Sequence, residues 1–259
     1  GALLIYIACL GLLLPSHETA APALHVALIA ASFYAGICLF DKPTRRAAAG
    51  LGIVLGLLVL VRGWTNPLAL GIALLLLGAL RERTLLWRQL SITLPVAFAL
   101  PLAWAITHQW QHPFGLNLID NWQRWNDGLL AAPSLSVAGF TLKTLTWFAW
   151  PAWPIAAWSV YAWRRQATLH IMLPSIGFLA LLIVSLCSPH PENADLLAML
   201  PPLAILAAFG LPTLKRGAIN AVDWFSVMTL TATAAFIWLG WIAKQTGWPA
   251  QLAKNAFKL

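Results

Sequence analysis

The feature that most constrains this chain is a succession of long apolar runs in which polar residues do not alternate. Segments such as 47–61, 171–187 and 196–213 carry Leu, Ala, Val and Ile at neighbouring positions. A membrane barrel would need strict alternation, so the pattern excludes it and leaves helices, the other structure that satisfies its own backbone hydrogen bonds in hydrocarbon. With 60% apolar and 9% charged residues in 259, the chain lacks the polar surface to cover a water-soluble globule of this size. The expected fold is an all-α polytopic membrane protein, a single transmembrane domain over residues 1–259.

Apolar runs bounded by charge, proline or glycine place spans near 1–14, 21–40, 47–61, 67–80, 90–107, 141–162, 171–187, 196–213 and 221–243, about nine transmembrane helices. Two of them, 47–61 and 67–80, fall short of the roughly 20 residues that cross a bilayer perpendicularly. The chain opens on Gly1-Ala2-Leu3-Leu4 already inside an apolar run, as expected of a piece of a longer protein. Cys9, Cys38 and Cys187 sit in apolar runs without CxxC spacing and are expected to be packing residues.

Charge orients the spans. Lys42, Arg45 and Arg46, then Arg81, Arg83 and Arg88, then Arg164 and Arg165, then Lys215 and Arg216 fall in alternate connections, which the positive-inside rule assigns to the cytoplasm. Glu18, Asp120, Asp127, Glu192 and Asp195 fall on the opposite side, with the C-terminus. The net charge of +8 is spread over span ends in no long basic tract, so topology explains it and a nucleic-acid partner is not indicated. Many of the 15 tryptophans, among them Trp64, Trp110, Trp150, Trp153, Trp241 and Trp248, lie near expected outer ends, as an aromatic belt requires.

One connection is long, the outer loop 108–140. Within it Leu118, Ile119, Trp122, Trp125 and Leu129 recur at helical spacing, with Asp120, Arg124 and Asp127 on another face. This predicts an amphipathic juxtamembrane helix on the membrane surface. Arg124 reads either as the centre of a surface ion-pair network with the two acids or, flanked by Trp122 and Trp125, as a guanidinium set to grip a lipid phosphate. Arg62 closes a span at the outer face, where a base is disfavoured, and reads as a snorkelling interface residue or as a contact for an anionic ligand.

Glu18, in Pro15-Ser16-His17-Glu18-Thr19, is either a solvated loop acid or a carboxylate that orients an acceptor, and with His17 it could touch a divalent metal. Nothing else supports a metal or cofactor. Glu192 and Asp195 form a second outer acidic cluster, followed by Pro201 and Pro202, which are expected to kink a helix there. Walker, GxSxG, HExxH and dinucleotide motifs are absent.

Three stretches in order resemble the bacterial GT-C membrane glycosyltransferases, the glycosyltransferase family 39, lipid A aminoarabinose transferase-like and protein O-mannosyltransferase-like enzymes. They are Ala49-Gly50-Leu51-Gly52-Ile53-Val54-Leu55-Gly56 running on to Arg62-Gly63, Asn121-Trp122-Gln123-Arg124-Trp125, and Leu196-Leu197-Ala198-Met199-Leu200-Pro201-Pro202-Leu203-Ala204. Their order and sidedness make the resemblance moderately specific over nearly the whole chain. It implies an enzyme of the bacterial inner membrane that uses a polyprenyl-phosphate sugar donor among membrane lipids. Arg124 would bind the donor phosphate with Asn121 and Trp122 around it, Arg62 would stand where the family has lysine, and Glu18 would be an auxiliary acid. The basic residue that often precedes the family's paired prolines is absent here. The family's primary catalytic aspartate lies in a first outer loop that no residue of this chain covers, so the chain would carry the donor-binding part and be inactive alone. A transporter or flippase, with ionisable groups at mid-membrane, and a noncatalytic scaffold are the competing readings.

Overall fold

The structure is a computed structural model that describes residues 1–12, 21–81, 83–111, 118–166, 168–189, 193–248 and 250–251. Helices make up the fold, and the described residues contain no strand. The order is α1 (Ala2–Ile7), α2 (Ala21–Asp41), α3 (Arg45–Arg62), α4 (Thr65–Arg81), α5 (Arg83–Gln111), α6 (Leu118–Asp127), α7 (Leu135–Phe148), α8 (Ala152–Ala162), α9 (Leu169–Leu186), α10 (Asn193–Leu197), α11 (Leu200–Gly210) and α12 (Arg216–Thr246). The chain divides into two compact units, Gly1–Pro212 and Thr213–Leu259.

Local chemistry sets several ends. The Thr44 hydroxyl accepts the Ala47 N–H at 3.1 Å to open α3, and the Ser134 hydroxyl accepts from Val137 at 3.2 Å to open α7. The expected span 141–162 is two helices: α7 ends at Phe148 and α8 begins at Ala152. Likewise 196–213 is interrupted at Ala198–Met199, and Pro201 and Pro202 do not kink a running helix. They sit in the first turn of α11, where the missing proline N–H has no intrahelical partner to lose. At the start of the chain the apolar run contributes only the six-residue α1 and a short 3-10 turn over Leu10–Leu12, and 13–20 lie outside the described residues.

In the first unit α3 and α5 run parallel in close contact. A Cβ on Gly52 would lie 2.7 Å from the Thr93 carbonyl oxygen, and one on Gly56 would lie 2.7 Å from that of Ala97. The Thr93 hydroxyl donates to the Ala48 carbonyl at 3.1 Å across the same seam. Ala48, Gly52 and Gly56 are thus a small-residue stripe of the kind that lets helix backbones meet in lipid. The most enclosed helix is α11, which packs on α1, α2, α8 and α9 and buries Leu200, Leu203, Leu206 and Ala207. Gly210 of α11 sits against the Ile155 carbonyl and Ser159 of α8. Gly177 of α9 receives the Phe33 ring of α2, so that α2 and α9 pack face to face.

Five helices are long and apolar enough to cross a membrane: Pro22–Asp41, Gln89–His108, Leu169–Leu186, Asp195–Thr213 and Arg216–Thr246. The shorter apolar helix Thr65–Leu80 accompanies them. On α5 the side chains of Leu94, Phe98, Leu102 and Ile106 are exposed at four-residue intervals over a rise of about 18 Å. Such a continuous apolar stripe is costly against water and favoured against hydrocarbon. The second unit is the helix α12, closed at Gly247, whose left-handed φ of 71° lets its N–H return to the Ala243 carbonyl.

The direction of each helix in the first unit follows from its contacts. Residues 45–46 and 62 cap opposite ends of α3, about 27 Å apart. Helix α4 returns antiparallel to α3, and α9 runs antiparallel to α2, so the ends at Arg62, Thr65, Gln111 and Leu186 share one face of the bundle. The helix ends at Arg45, Arg81 and Ala162 fall at the other.

Candidate functional site

The site lies at the end of the bundle where α3 turns into α4. Gly63 stops α3 with a φ of +76°, a left-handed conformation that glycine adopts without penalty. A Cβ there would also strike the Asn126 side-chain oxygen and approach Leu129 at 2.9 Å, so glycine is required for space as well.

Asn126 is what draws α6 onto this turn. Its Oδ1 accepts the Trp64 N–H at 3.0 Å while its Nδ2 donates to the Trp122 carbonyl at 2.7 Å, and the side chain is only 2% exposed. Leaving such a buried group unpaired costs about 1–3 kcal/mol, so the contact holds its register firmly. The Asn126–Trp64 contact sets α6 over the α3–α4 turn, beside which Arg62 and Arg124 line one cavity. After α6 the Ala131 N–H donates to the Cys187 carbonyl at 2.7 Å and ties the chain to the end of α9.

Arg62, Arg124 and Asp195 line a single cavity of about 500 Å³, together with Asn66, Trp125 and Ser185. The arginines are held differently. An Arg62 terminal nitrogen donates to Asp195 Oδ1 at 2.6 Å, a short charge-assisted bond between partly buried groups. Arg124 donates to Asn121 Oδ1 at 2.7 Å and, at a longer 3.4 Å, to the Asp120 carbonyl. Its partners are neutral acceptors. Of the two readings of Arg124, the ion-pair network with the Asp120 and Asp127 carboxylates is not formed among the described residues; the Asn121 side chain, three residues back, takes the guanidinium.

Beneath the cavity lies a polar pair inside the bundle. Asn66 Nδ2 is 3.1 Å from His25 Nε2, and His25 is 1% exposed. If Nε2 accepts from the amide, the ring proton sits on Nδ1, a buried atom that has no protein partner among the described residues. Ser185, on the last turn of α9, is 3% exposed, and its hydroxyl likewise has no partner among them.

The residues expected from sequence thus separate. Arg62 and Arg124 come together in the cavity. Asn121 is exposed and acts through Arg124. Trp122 turns toward Trp104 of α5, with ring centroids 6.4 Å apart, and Trp125 rather than Trp122 lines the cavity. Glu18, His17 and Glu192 lie outside the described residues. Among the described residues no three His, Cys, Asp or Glu side chains gather as a metal site would need.

The sequence reading does not single out Asn126 or Ser185, and it takes Asp195 only as part of an outer acidic cluster with Glu192. For Asn126 a signal existed, since a polar residue four positions after Trp122 interrupts the apolar stripe of α6. The Asp195 pairing with Arg62 spans 133 residues and leaves no local trace. The chain matches no family model, no curated protein and no solved structure. The resemblance to the GT-C glycosyltransferases therefore rests on the three sequence stretches alone.

Proposed function

We propose that this chain is the donor-binding part of a membrane glycosyltransferase that moves a sugar from a polyprenyl-phosphate carrier to a lipid or protein acceptor. The reading places it in a bacterial inner membrane, crossing about nine times once the shorter apolar helices are counted, with the cavity at the outer face. The observation that carries it is the convergence of Arg62 and Arg124, from separate helices, on one cavity beside Trp125 in a bundle of apolar helices. A planar guanidinium whose present partners are neutral is well suited to a phosphate oxygen pair.

In the reaction the acceptor oxygen bonds to the anomeric carbon as the bond from that carbon to the phosphate oxygen breaks. The polyprenyl phosphate leaves with the added negative charge, which Arg124 stabilises. Asp195 is a poor candidate for the base that takes the acceptor proton, because its carboxylate is engaged by Arg62. The resemblance assigns that role to an aspartate of the family's first outer loop, which no residue here matches, with Glu18 as an auxiliary acid.

The test is binding of undecaprenyl phosphate to the protein in nanodiscs of phosphatidylcholine. Arg124→Ala is expected to weaken it about tenfold or more, the worth of one charge-assisted hydrogen bond. Unchanged affinity at an unchanged melting temperature would remove Arg124 from the site and with it this reading.

A further inference from the structure

We infer that the groove enclosed by α7, α8, α9 and α11 seats one hydrocarbon chain of an anionic bilayer phospholipid, whose phosphate is held by Lys143. This site is separate from the cavity at Arg62 and Arg124 and does not depend on what that cavity binds.

The groove has a volume of about 380 Å³, within the roughly 300–1,000 Å³ of sites that hold small molecules. Its floor includes Ala156, Leu203 and Leu206, all buried, and its rim includes Leu142, Val160 and Leu179, all exposed. It therefore opens sideways, on the outside of a bundle whose long helices are apolar enough to cross a membrane. Trp153 forms part of one wall. Its indole N–H donates to the Thr146 carbonyl at 2.8 Å, across the turn between α7 and α8, which holds the ring at the groove's edge. Leu142 stands in α7, on the side nearer the bundle face at Leu186, and Val160 lies close to the Ala162 end at the opposite face. Apolar walls without partner atoms forfeit dispersion contacts, and an alkyl chain lying between these ends supplies them.

Charge selects which lipid enters. Of all the residues in the four helices around the groove, Lys143 alone is a Lys, Arg, Asp or Glu, and it is exposed. It follows Leu142 directly and so stands at the Leu142 end of the groove, about 12 Å along α7 from Leu135. Its neighbours on the exposed side of α7 are apolar: Leu135, Phe140 and Trp147 are all exposed. A lysine so surrounded lays its stem along apolar surface and sends the ammonium toward the headgroups. Side chains of a helix lean toward its N-terminus, which here carries the ammonium away from the depth of the groove. Among the described residues no carboxylate pairs with it. A cation above an apolar channel has the polarity of an amphiphile with its phosphate uppermost, so an anionic phospholipid fits where a zwitterionic one gains less.

The test is native mass spectrometry of the full chain released from nanodiscs made of equal parts phosphatidylcholine and phosphatidylglycerol, counting the lipids retained. One phosphatidylglycerol is expected to be retained about fivefold over phosphatidylcholine, as a single lysine near an anionic headgroup contributes. In Lys143→Gln the preference should fall to about twofold or less, and Lys143→Arg should keep it. Ala157 is exposed and lines the groove, so Ala157→Phe fills it from the lipid side and should lower retention of both lipids about threefold or more. Leu179→Trp fills it from the facing wall and replaces the first variant if that one melts lower. Arg124→Ala should leave the preference in place. The site is overturned if phosphatidylglycerol is not preferred, if the preference survives in Lys143→Gln, or if neither groove-filling variant lowers retention. Loss of the preference in Arg124→Ala would assign the lipid to the arginine cavity and overturn this site too. Dimers that Ala157→Phe abolishes, with no lipid preference, would make the face a contact between copies of the chain and likewise overturn it.

Discussion

Helix α3 serves two regions by opposite means. Along its length Ala48, Gly52 and Gly56 let the α5 backbone approach through the absence of side chains, and the contact is mainly one of packing. At its last turn, Arg62 and the following Trp64 hold α10 and α6 through directed polar contacts with Asp195 and Asn126. A packing seam is sensitive above all to volume, and a polar junction to geometry and charge. The first therefore governs whether the bundle forms, and the second governs what it binds.

The strongest way to break this division is at the seam. Gly56→Val forces a branched side chain against the Ala97 carbonyl, 2.7 Å from where its Cβ would sit. It is expected to cost about 1–3 kcal/mol or more. Thermal unfolding in detergent should show a lowered melting temperature, while protein that remains folded keeps its polyprenyl phosphate affinity. A large affinity loss without a stability loss would show that seam and cavity are not separable.

Next in size is Asn126→Ala, which leaves the Trp64 N–H without its acceptor and frees α6. A stability loss of about 1–2 kcal/mol is expected, together with weakened phosphate binding, because Arg124 no longer lies over the cavity. If binding is retained, α6 is held there by other contacts and Asn126 is not the lock.

Arg124→Lys sharpens the role of the junction. A lysine keeps the charge but loses the planar fork, so about three- to tenfold weaker phosphate binding is expected with no change in melting temperature. Affinity equal to wild type would mean that charge alone is sensed. The smallest effect belongs to Asp195→Asn, which removes the anion on Arg62. Bare farnesyl phosphate should bind about two- to threefold more tightly, an advantage that shrinks with added salt. Weaker binding would mean that Asp195 orders Arg62 for the ligand rather than opposing it.

Much of the bundle was legible before any coordinates. Spans 21–40, 171–187 and 221–243 correspond to α2, α9 and α12, because a long apolar run determines both helix and environment in one step. The run 141–162 reads as one helix and is two, since hydropathy does not register the turn between Phe148 and Ala152. Loop 108–140 is shorter than expected: α5 continues through the polar His108–Gln111 and α7 begins at Leu135. The amphipathic helix within it is present as α6.

By itself the sequence determined that this chain is built of apolar helices, that α6 is amphipathic, and that Arg62 closes an apolar run. These follow from composition and periodicity, which act locally. Tertiary structure alone decided that Arg62 carries Asp195, that Asn126 locks α6 to the α3–α4 turn, and that Arg62 and Arg124 line one cavity. The reason is physical: which polar groups pair in a bundle depends on which helix ends meet, and that is set by the packing of small residues far along the chain from the groups it brings together.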